Sequence, residues 1–146
     1  MADLSLTVER TIKAAQSDVF NAWLNPEMLQ KFMMPGAGMT VPAATNDPKV
    51  GGRFEIVMQA DGDRMPHAGT YEAIDPHQRI VFTWETPFAE GDSTVTLTFD
   101  PVEAGTRVVL THTRFNDGET RDNHRRGWTS ILDTLDITLR SYAGAL

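Results

Sequence analysis

The sequence contains no cysteine, which excludes disulfide bonds and thiol chemistry and is compatible with a reducing compartment. It also lacks any apolar run near the ~20 residues that a membrane-spanning helix requires. Its 13 lysines and arginines are scattered among 20 acidic residues, and a net charge of −7 without a basic stripe argues against nucleic acid as a partner. The first ten residues reach charged side chains too early for a signal peptide, so we expect a cytoplasmic protein without a membrane span.

Motifs for metals and cofactors are missing as well. Four scattered histidines without cysteine make a zinc site improbable. The pair Gly51-Gly52 precedes a strand pattern rather than a helix, unlike a phosphate-binding loop. No serine lies in a nucleophile-elbow pattern. We therefore predict no cofactor and no metal.

Alternating apolar residues predict strands over most of the chain. Leu4, Leu6 and Val8 recur at every second position, which is typical of a strand with one buried face, and Arg10 shares that face. Further strands are predicted at Met39–Val41, Phe54–Met58, His67–Ile74, Ile80–Trp84, Val95–Phe99 and Val108–His112. Turns such as Ala60–Asp63, Asp75–Gln78, Glu90–Asp92 and Glu103–Gly105 are so short that the strands they join must be antiparallel neighbours.

Three segments show helical spacing. The first runs from about Ser17 to Leu24, and Asn25 with Pro26 predicts the capped start of a second short helix. A third, from about Glu119 to Tyr142, would be about 35 Å long. Its apolar stripe is Trp128, Ile131, Leu132, Leu135, Leu139 and Tyr142, with Asp133, Asp136 and Arg140 placed off the stripe. Residues 1–146 are therefore predicted to form one α+β domain, in which a curved antiparallel sheet of six to seven strands wraps around the C-terminal helix.

A strongly twisted sheet closes poorly where a helix meets its strand ends, so this architecture favours an internal cavity. Large aromatic side chains and flexible methionines facing inward can either fill such a space or line it. The sequence leaves these two alternatives open. The predicted ligand-binding residues are Trp23, Met34, Met39, Phe54, Met58, Tyr71, Phe82, Trp84, Phe99, His112, Trp128 and Leu132.

Five polar residues have both a functional and a structural interpretation. His112 is predicted to face inward, either as an acid or base or, as we favour, as a core histidine bonded to a neighbouring group. Tyr71 could present its hydroxyl to a ligand or to the rim. We expect Arg10 to pair with a protein carboxylate, His67 to be exposed at a strand start, and His124 to lie at the cavity mouth or in solvent.

Several segments resemble one known family. Ala14–Trp23 resembles its opening "A-P-x-x-V-F-x-A-W" helix, Asn25–Leu29 its "D-P-E-x-L", and Asp47–Phe54 its "D-x-R-V-G-G-x-F". Gly69–Tyr71 and Ile80–Trp84 are similar to its "G-x-Y" and "L-V-F-T-W" strands, and the match continues through Ser93–Leu97, Gly105–Val108, Leu110–His112 and Gly127-Trp128. The chain thus resembles the START-like (SRPBCC) superfamily, and more closely the activator of heat-shock-protein-90 ATPase homologue family.

The resemblance implies a helix-grip fold with a cavity open at one end, but it does not imply one activity. We expect the cavity to bind a small hydrophobic or aromatic molecule. The alternatives are a cyclase-like or hydrolase-like enzyme with His112 and Tyr71 as acid and base, and a regulator of a chaperone ATPase. Phe32–Pro35 departs from the family's "W-W-x-P", so the ligand's shape does not carry over. An exposed edge strand is compatible with a homodimer formed by strand pairing across a two-fold axis.

Overall fold

The computed structural model describes residues 4–34, 36, 38–86, 93–115 and 118–144, and side chains up to residue 139. It contains seven strands and three helices in the described part of the chain. In chain order they are β1 (Leu4–Ile12), α1 (Gln16–Ala22), α2 (Pro26–Phe32), β2 (Thr40–Asn46), β3 (Arg53–Ala60), β4 (Asp63–Asp75), β5 (Arg79–Trp84), β6 (Ser93–Val102), β7 (Gly105–Phe115) and α3 (Gly118–Gly144).

All seven strands form one antiparallel sheet in the order β1-β7-β6-β5-β4-β3-β2. The first strand therefore lies beside the last, and β2 to β7 follow one another as hairpins. Two short helices follow β1, and the long helix α3 ends the described chain. The predicted α+β, helix-grip architecture is confirmed. None of the helices in the described ranges is long and apolar enough to cross a membrane.

Local signals set most of the element boundaries. The β3–β4 hairpin turns at Asp61 and Gly62, whose φ values of 51° and 84° are those of a two-residue turn that favours Asp-Gly. The backbone N–H groups of Glu27 and Met28 donate to Asn25 Oδ1 at 2.9 and 3.3 Å, which caps α2 as predicted. The predicted turn at Glu90–Asp92 lies outside the described residues.

Two strands are longer than their sequence patterns predict. β2 extends from Thr40 to Asn46 although Pro42 interrupts its pattern, because its residues pair with β3. β4 begins at Asp63 rather than at His67, because the tight turn before it brings Asp63 opposite Ala60. His67 is consequently inside a strand, and it is buried rather than exposed as predicted.

The inward stripe of α3 includes an acidic residue. Trp128, Ile131, Leu132, Leu135 and Leu139 are buried, and the side chain of Tyr142 lies outside the described residues. Asp136 was predicted to lie off the stripe, but its side chain is only 3% exposed. It follows Leu132 by four residues and therefore shares its face of the helix.

A cation on β1 compensates the buried carboxylate of Asp136. Arg10 Nη2 donates to Asp136 Oδ2 at 3.1 Å, and the backbone N–H of Lys13 donates to Oδ1 at 3.0 Å. Arg10 Nη1 also lies 2.6 Å from Asp133, whose side chain is half exposed. The expected pairing of Arg10 with a protein carboxylate is thus observed, and it joins β1 to α3.

Replacing Asp136 and Asp133 one at a time should show how much the buried and the half-exposed contact with Arg10 each contribute to stability. We expect Asp136→Ala to lower the free energy of unfolding by about 3 kcal/mol, because it leaves a guanidinium and a backbone N–H without their buried acceptor. Asp133→Ala should cost less than about 1 kcal/mol, since solvent replaces that contact. Urea unfolding of both variants measures the difference. Equal losses would contradict the assignment of Asp136 as the principal partner.

Candidate ligand-binding site

An apolar cavity of about 150 Å³ lies between the sheet and the N-terminal half of α3. We call it the outer cavity. Three neighbouring strands and the helix surround it, because alternate residues of each strand face α3. It is lined by Met58 from β3, His67 from β4, Trp84 from β5, and Asn123, His124, Gly127, Trp128 and Ile131 from α3.

A second space of about 10 Å³, the inner cavity, lies deeper in the core. This volume is close to the minimum that holds one water-sized group. It is lined by Trp23, Leu29, Met33, Phe54, Ile56, Tyr71, Phe82 and Trp84. Trp84 belongs to the walls of both cavities. The inner cavity is therefore almost closed by the side chains around it, whereas the outer cavity beside α3 has room for one ring.

The indole of Trp84 is held by rings on several sides. The ring centroids of Trp84 and Trp128 are 5.0 Å apart, and those of Trp84 and His67 are 5.0 Å apart with planes inclined by 31°. Phe54 stacks on Trp84 from β3 at 6.2 Å. Contacts of this kind add to the burial of apolar area and restrict ring rotation, so the wall between the cavities has a defined shape.

His112 is fully buried in β7, and both of its ring nitrogens are hydrogen bonded. Trp128 Nε1–H donates to Nδ1 at 3.0 Å, so Nε2 carries the proton and donates to Ser93 Oγ at 2.6 Å. Ser93 Oγ in turn donates to the Trp84 carbonyl at 3.2 Å. Burial, reinforced by His124 nearby, lowers the pKa of His112 to about 3. His112 is thus a neutral core residue in a satisfied network, and it lines neither cavity.

His67 and His124 line the outer cavity, and each ring is held by one hydrogen bond from Nδ1 to a backbone carbonyl. His67 Nδ1–H donates to the Met65 carbonyl at 3.0 Å, and His124 Nδ1–H donates to the Thr120 carbonyl at 2.9 Å. In the neutral rings the Nε2 atoms are then the hydrogen-bond acceptors. Burial lowers the pKa of His67, which favours its neutral form.

Tyr71 faces inward from β4 and lines the inner cavity. Its hydroxyl oxygen accepts a hydrogen bond from Asn46 Nδ2 at 3.2 Å, and the same amide donates to the Leu24 carbonyl at 2.7 Å. Burial raises the pKa of Tyr71, so the phenol keeps its proton at neutral pH. Its O–H is accordingly oriented by Asn46 and not ionised.

The three tryptophans of the chain differ in how their indole N–H groups are used. Trp128 Nε1–H donates to His112. Trp23 Nε1 and Trp84 Nε1 are buried, and neither has a hydrogen-bond partner among the described residues. Such orphaned donors are rare in folded proteins and each carries a free-energy cost of about 1–3 kcal/mol.

The twelve residues predicted from the sequence separate into three groups. Trp23, Phe54, Tyr71, Phe82 and Trp84 line the inner cavity. Met58, Trp84 and Trp128 line the outer cavity. Met34, Met39, Phe99, His112 and Leu132 line neither: Phe99 packs on Phe20, Leu132 is in the core, and the two methionines pack at its margin.

Sequence reasoning missed several lining residues. Asn123, Gly127 and Ile131 share one face of α3 by their spacing of four, which the sequence could have revealed. His67 has the same parity as Gly69 and Tyr71, and that signal was outweighed by its assumed position at a strand start. Leu29, Met33 and Ile56 lacked a distinguishing signal because they are ordinary core residue types. Within the described ranges, no group of three or more His, Cys, Asp or Glu side chains could hold a metal ion.

The family model described as Activator of Hsp90 ATPase homolog 1-like protein matches residues 13–140. The chain belongs to this family. The match spans α1 to α3, so every element that lines the two cavities is part of the family domain, and the resemblance to the START-like superfamily is confirmed. None of the curated proteins matches the chain.

Several solved structures share the fold of this family member. The AHSA1 protein of Silicibacter pomeroyi is 28% identical with a TM-score of 0.81, over 95% of this chain and 99% of that protein. A Chromobacterium violaceum protein is 25% identical with a TM-score of 0.81, over 92% of this chain and 95% of that one. A Nitrosomonas europaea protein, 22% identical over 97% of both chains with a TM-score of 0.82, supports the fold alone.

Proposed function

We propose that this single domain binds a small, uncharged, largely apolar molecule in the outer cavity. The observation that supports it is an apolar space of about 150 Å³ between Met58, Trp84, Trp128 and Ile131. A dry cavity of this size accommodates a molecule such as benzene. Pockets for drug-sized ligands are larger, about 300–1,000 Å³. The proposal therefore favours a molecule with one aromatic ring over a steroid, a lipid or a polycyclic compound.

Ile131 and Ile137 provide a matched pair of variants for testing this site. Ile131 lines the outer cavity and is 2% exposed, whereas Ile137 on the same helix is 58% exposed. We expect Ile131→Phe to weaken toluene binding at least about tenfold, because the added ring atoms occupy ligand space and the displaced contacts are worth about 1.4 kcal/mol or more. Ile137→Phe should leave the affinity unchanged.

Quenching of tryptophan fluorescence by the ligand and the ligand-induced rise in melting temperature both measure this binding. Toluene is the first probe, because it has the size of the cavity and no polar group. Absence of saturable toluene binding to the unmodified protein would refute the proposed function. Saturable binding that Ile131→Phe leaves intact would place the ligand elsewhere.

The family description favours a second candidate, the regulation of a chaperone ATPase. Its test is a measured increase in the ATPase rate of a purified 90-kDa heat-shock chaperone on addition of this protein. The enzyme alternative draws no support from His112, since both ring nitrogens are engaged in structural hydrogen bonds. Cytoplasmic location and a homodimer through a sheet edge stay predictions.

A further inference from the structure

The outer cavity has three polar side chains in its lining, and they differ in burial. They belong to His67, Asn123 and His124. Asn123 is exposed and its amide oxygen accepts a hydrogen bond from Arg126, while His124 is half-buried. His67 is only 8% exposed. Of the three, His67 is therefore the side chain whose polar atoms are set within the protein rather than in bulk solvent.

The backbone fixes which nitrogen of His67 carries the proton. Nδ1–H donates to the Met65 carbonyl at 3.0 Å, and a carbonyl oxygen can only accept. Burial lowers the pKa of His67, so the ring is neutral at pH 7 and Nε2 presents a lone pair. Within the described part of the chain Nε2 has no hydrogen-bond partner, and unlike the buried Trp84 Nε1 it retains accessible surface.

The imidazole of His67 is also part of the aromatic wall of this cavity. Its ring lies on Trp84 with a centroid distance of 5.0 Å and planes inclined by 31°, and Trp84 in turn contacts Trp128 at 5.0 Å. The hydrogen bond to Met65 and the contact with Trp84 together fix the orientation of the imidazole. A ligand ring that packs on these two indoles would therefore have a preorganised acceptor beside it.

The lining also restricts the charge of a ligand. The described residues that line the outer cavity include no Asp, Glu, Lys or Arg. An ionised ligand would lose its hydration there without gaining an opposite charge, which is costly. A neutral hydroxyl group donates one hydrogen bond, which is what the lone pair of His67 Nε2 requires. It also occupies nearly the volume of a methyl group, so phenol fits wherever toluene fits.

We propose that the ligand of the outer cavity is a neutral phenol-type molecule, whose ring packs on Trp84 and Trp128 and whose hydroxyl donates to His67 Nε2. This inference rests on the proposed function and adds the ligand's polar group to it. Binding then gives the imidazole the hydrogen-bond donor that the described residues do not supply.

Phenol and toluene test this inference, because they differ only in a hydroxyl group against a methyl group on the same ring. We expect phenol to bind at least as tightly as toluene. Without an acceptor in the cavity, phenol should bind at least about tenfold more weakly, since a hydroxyl buried without a partner loses its hydrogen bonds to water. Isothermal titration calorimetry at neutral pH measures both affinities.

The ring nitrogens of ¹⁵N-labelled histidine provide a direct structural readout. In long-range proton–nitrogen correlation spectra we expect the His67 Nε2 signal to move upfield with phenol and not with toluene, because a lone pair that accepts a hydrogen bond becomes more shielded. The ring of His112 is the internal control. Both of its nitrogens are already hydrogen bonded, to Trp128 and Ser93, so its signals should stay in place.

Two matched variants assign the acceptor to one imidazole. His67→Phe keeps an aromatic ring and removes Nε2, so it should lower the ratio of phenol to toluene affinity at least about tenfold. His124→Phe changes another wall of the same cavity for both ligands and should keep the ratio. A ratio that depends on His124 instead would overturn the assignment to His67.

Two further outcomes separate this inference from the proposed function. If toluene binds saturably but phenol binds at least about tenfold more weakly, or if the His67 Nε2 signal does not move with phenol, the phenol inference is overturned and the proposed function stands. Failure of both toluene and phenol to bind would overturn both.

Discussion

Acidification from pH 7 to pH 5 should lower the free energy of unfolding by about 2 kcal/mol through His112 alone. The unfolded chain binds a proton at His112 near pH 6.5, whereas the folded chain does so only near pH 3. Between these values the unfolded state holds more protons, so stability falls as the pH falls, by about 1.36 kcal/mol per pH unit. The stabilisation is fully present above pH 6.5 and is lost progressively toward pH 3. His67, whose pKa burial also lowers, contributes in the same direction.

The groups around His112 explain why protonation is so unfavourable. Trp128 Nε1–H donates to His112 Nδ1. A proton added at Nδ1 would therefore point at the indole N–H of Trp128, and the hydrogen bond would be lost. His124 and Phe115 pack on the ring at centroid distances of 5.2 and 4.3 Å, and no carboxylate is among the causes of the pKa shift. A second positive charge on His124 would oppose protonation further.

Chemical denaturation at several pH values measures this dependence, and the NMR signals of the His112 ring should report a neutral imidazole at pH 5. His77→Asn is the matched control: His77 is exposed on a turn with a φ of 65°, a conformation that asparagine tolerates, and the pH dependence should persist. A stability that is flat from pH 7 to pH 5, or an imidazolium signal from His112 at pH 5, would show that the network does not hold the ring neutral.

The second large effect is expected at Gly69 in β4. Gly69 pairs with Phe54 across β3 and β4, and the Phe54 ring lies over it. A Cβ at this position would clash with the carbonyl oxygen of Thr83 on β5 and would lie 2.6 Å from the Phe54 ring. We expect Gly69→Ala to lower the free energy of unfolding by about 3 kcal/mol or more, because a backbone atom and a core ring must both move.

Gly36→Ala is the control for Gly69→Ala, since its added methyl group would make only an ordinary contact with Met39 at 3.6 Å. It should change stability by less than about 0.5 kcal/mol. Thermal or urea unfolding compares the two. Because Phe54 lines the inner cavity together with Trp23 and Trp84, Gly69→Ala should also shift the indole signals of these two tryptophans. A Gly69→Ala protein as stable as Gly36→Ala would mean that β5 does not approach Gly69 this closely.

The architecture could be predicted because its signals are local. Alternation in Phe54–Met58 and in Ile80–Trp84 predicts strands with one inward face, and the structure buries those residues. Asn25-Pro26 and Asp61-Gly62 predict a helix start and a tight turn from the conformations that these residues favour. The prediction that Asp136 lies off the buried stripe was wrong, because helix position alone does not reveal that Arg10, 126 residues away in the chain, would neutralise its carboxylate.

The sequence by itself determined the order of the elements, the inward placement of the aromatic residues and the absence of thiol chemistry, because periodicity and composition are properties of neighbouring residues. Only the tertiary structure decided that the inner cavity is almost closed, that both ring nitrogens of His112 bond to Trp128 and Ser93, and that two buried indole N–H groups have no acceptor among the described residues. Void volume and hydrogen-bond partners arise where side chains from distant segments pack together, and a linear pattern does not encode those distances.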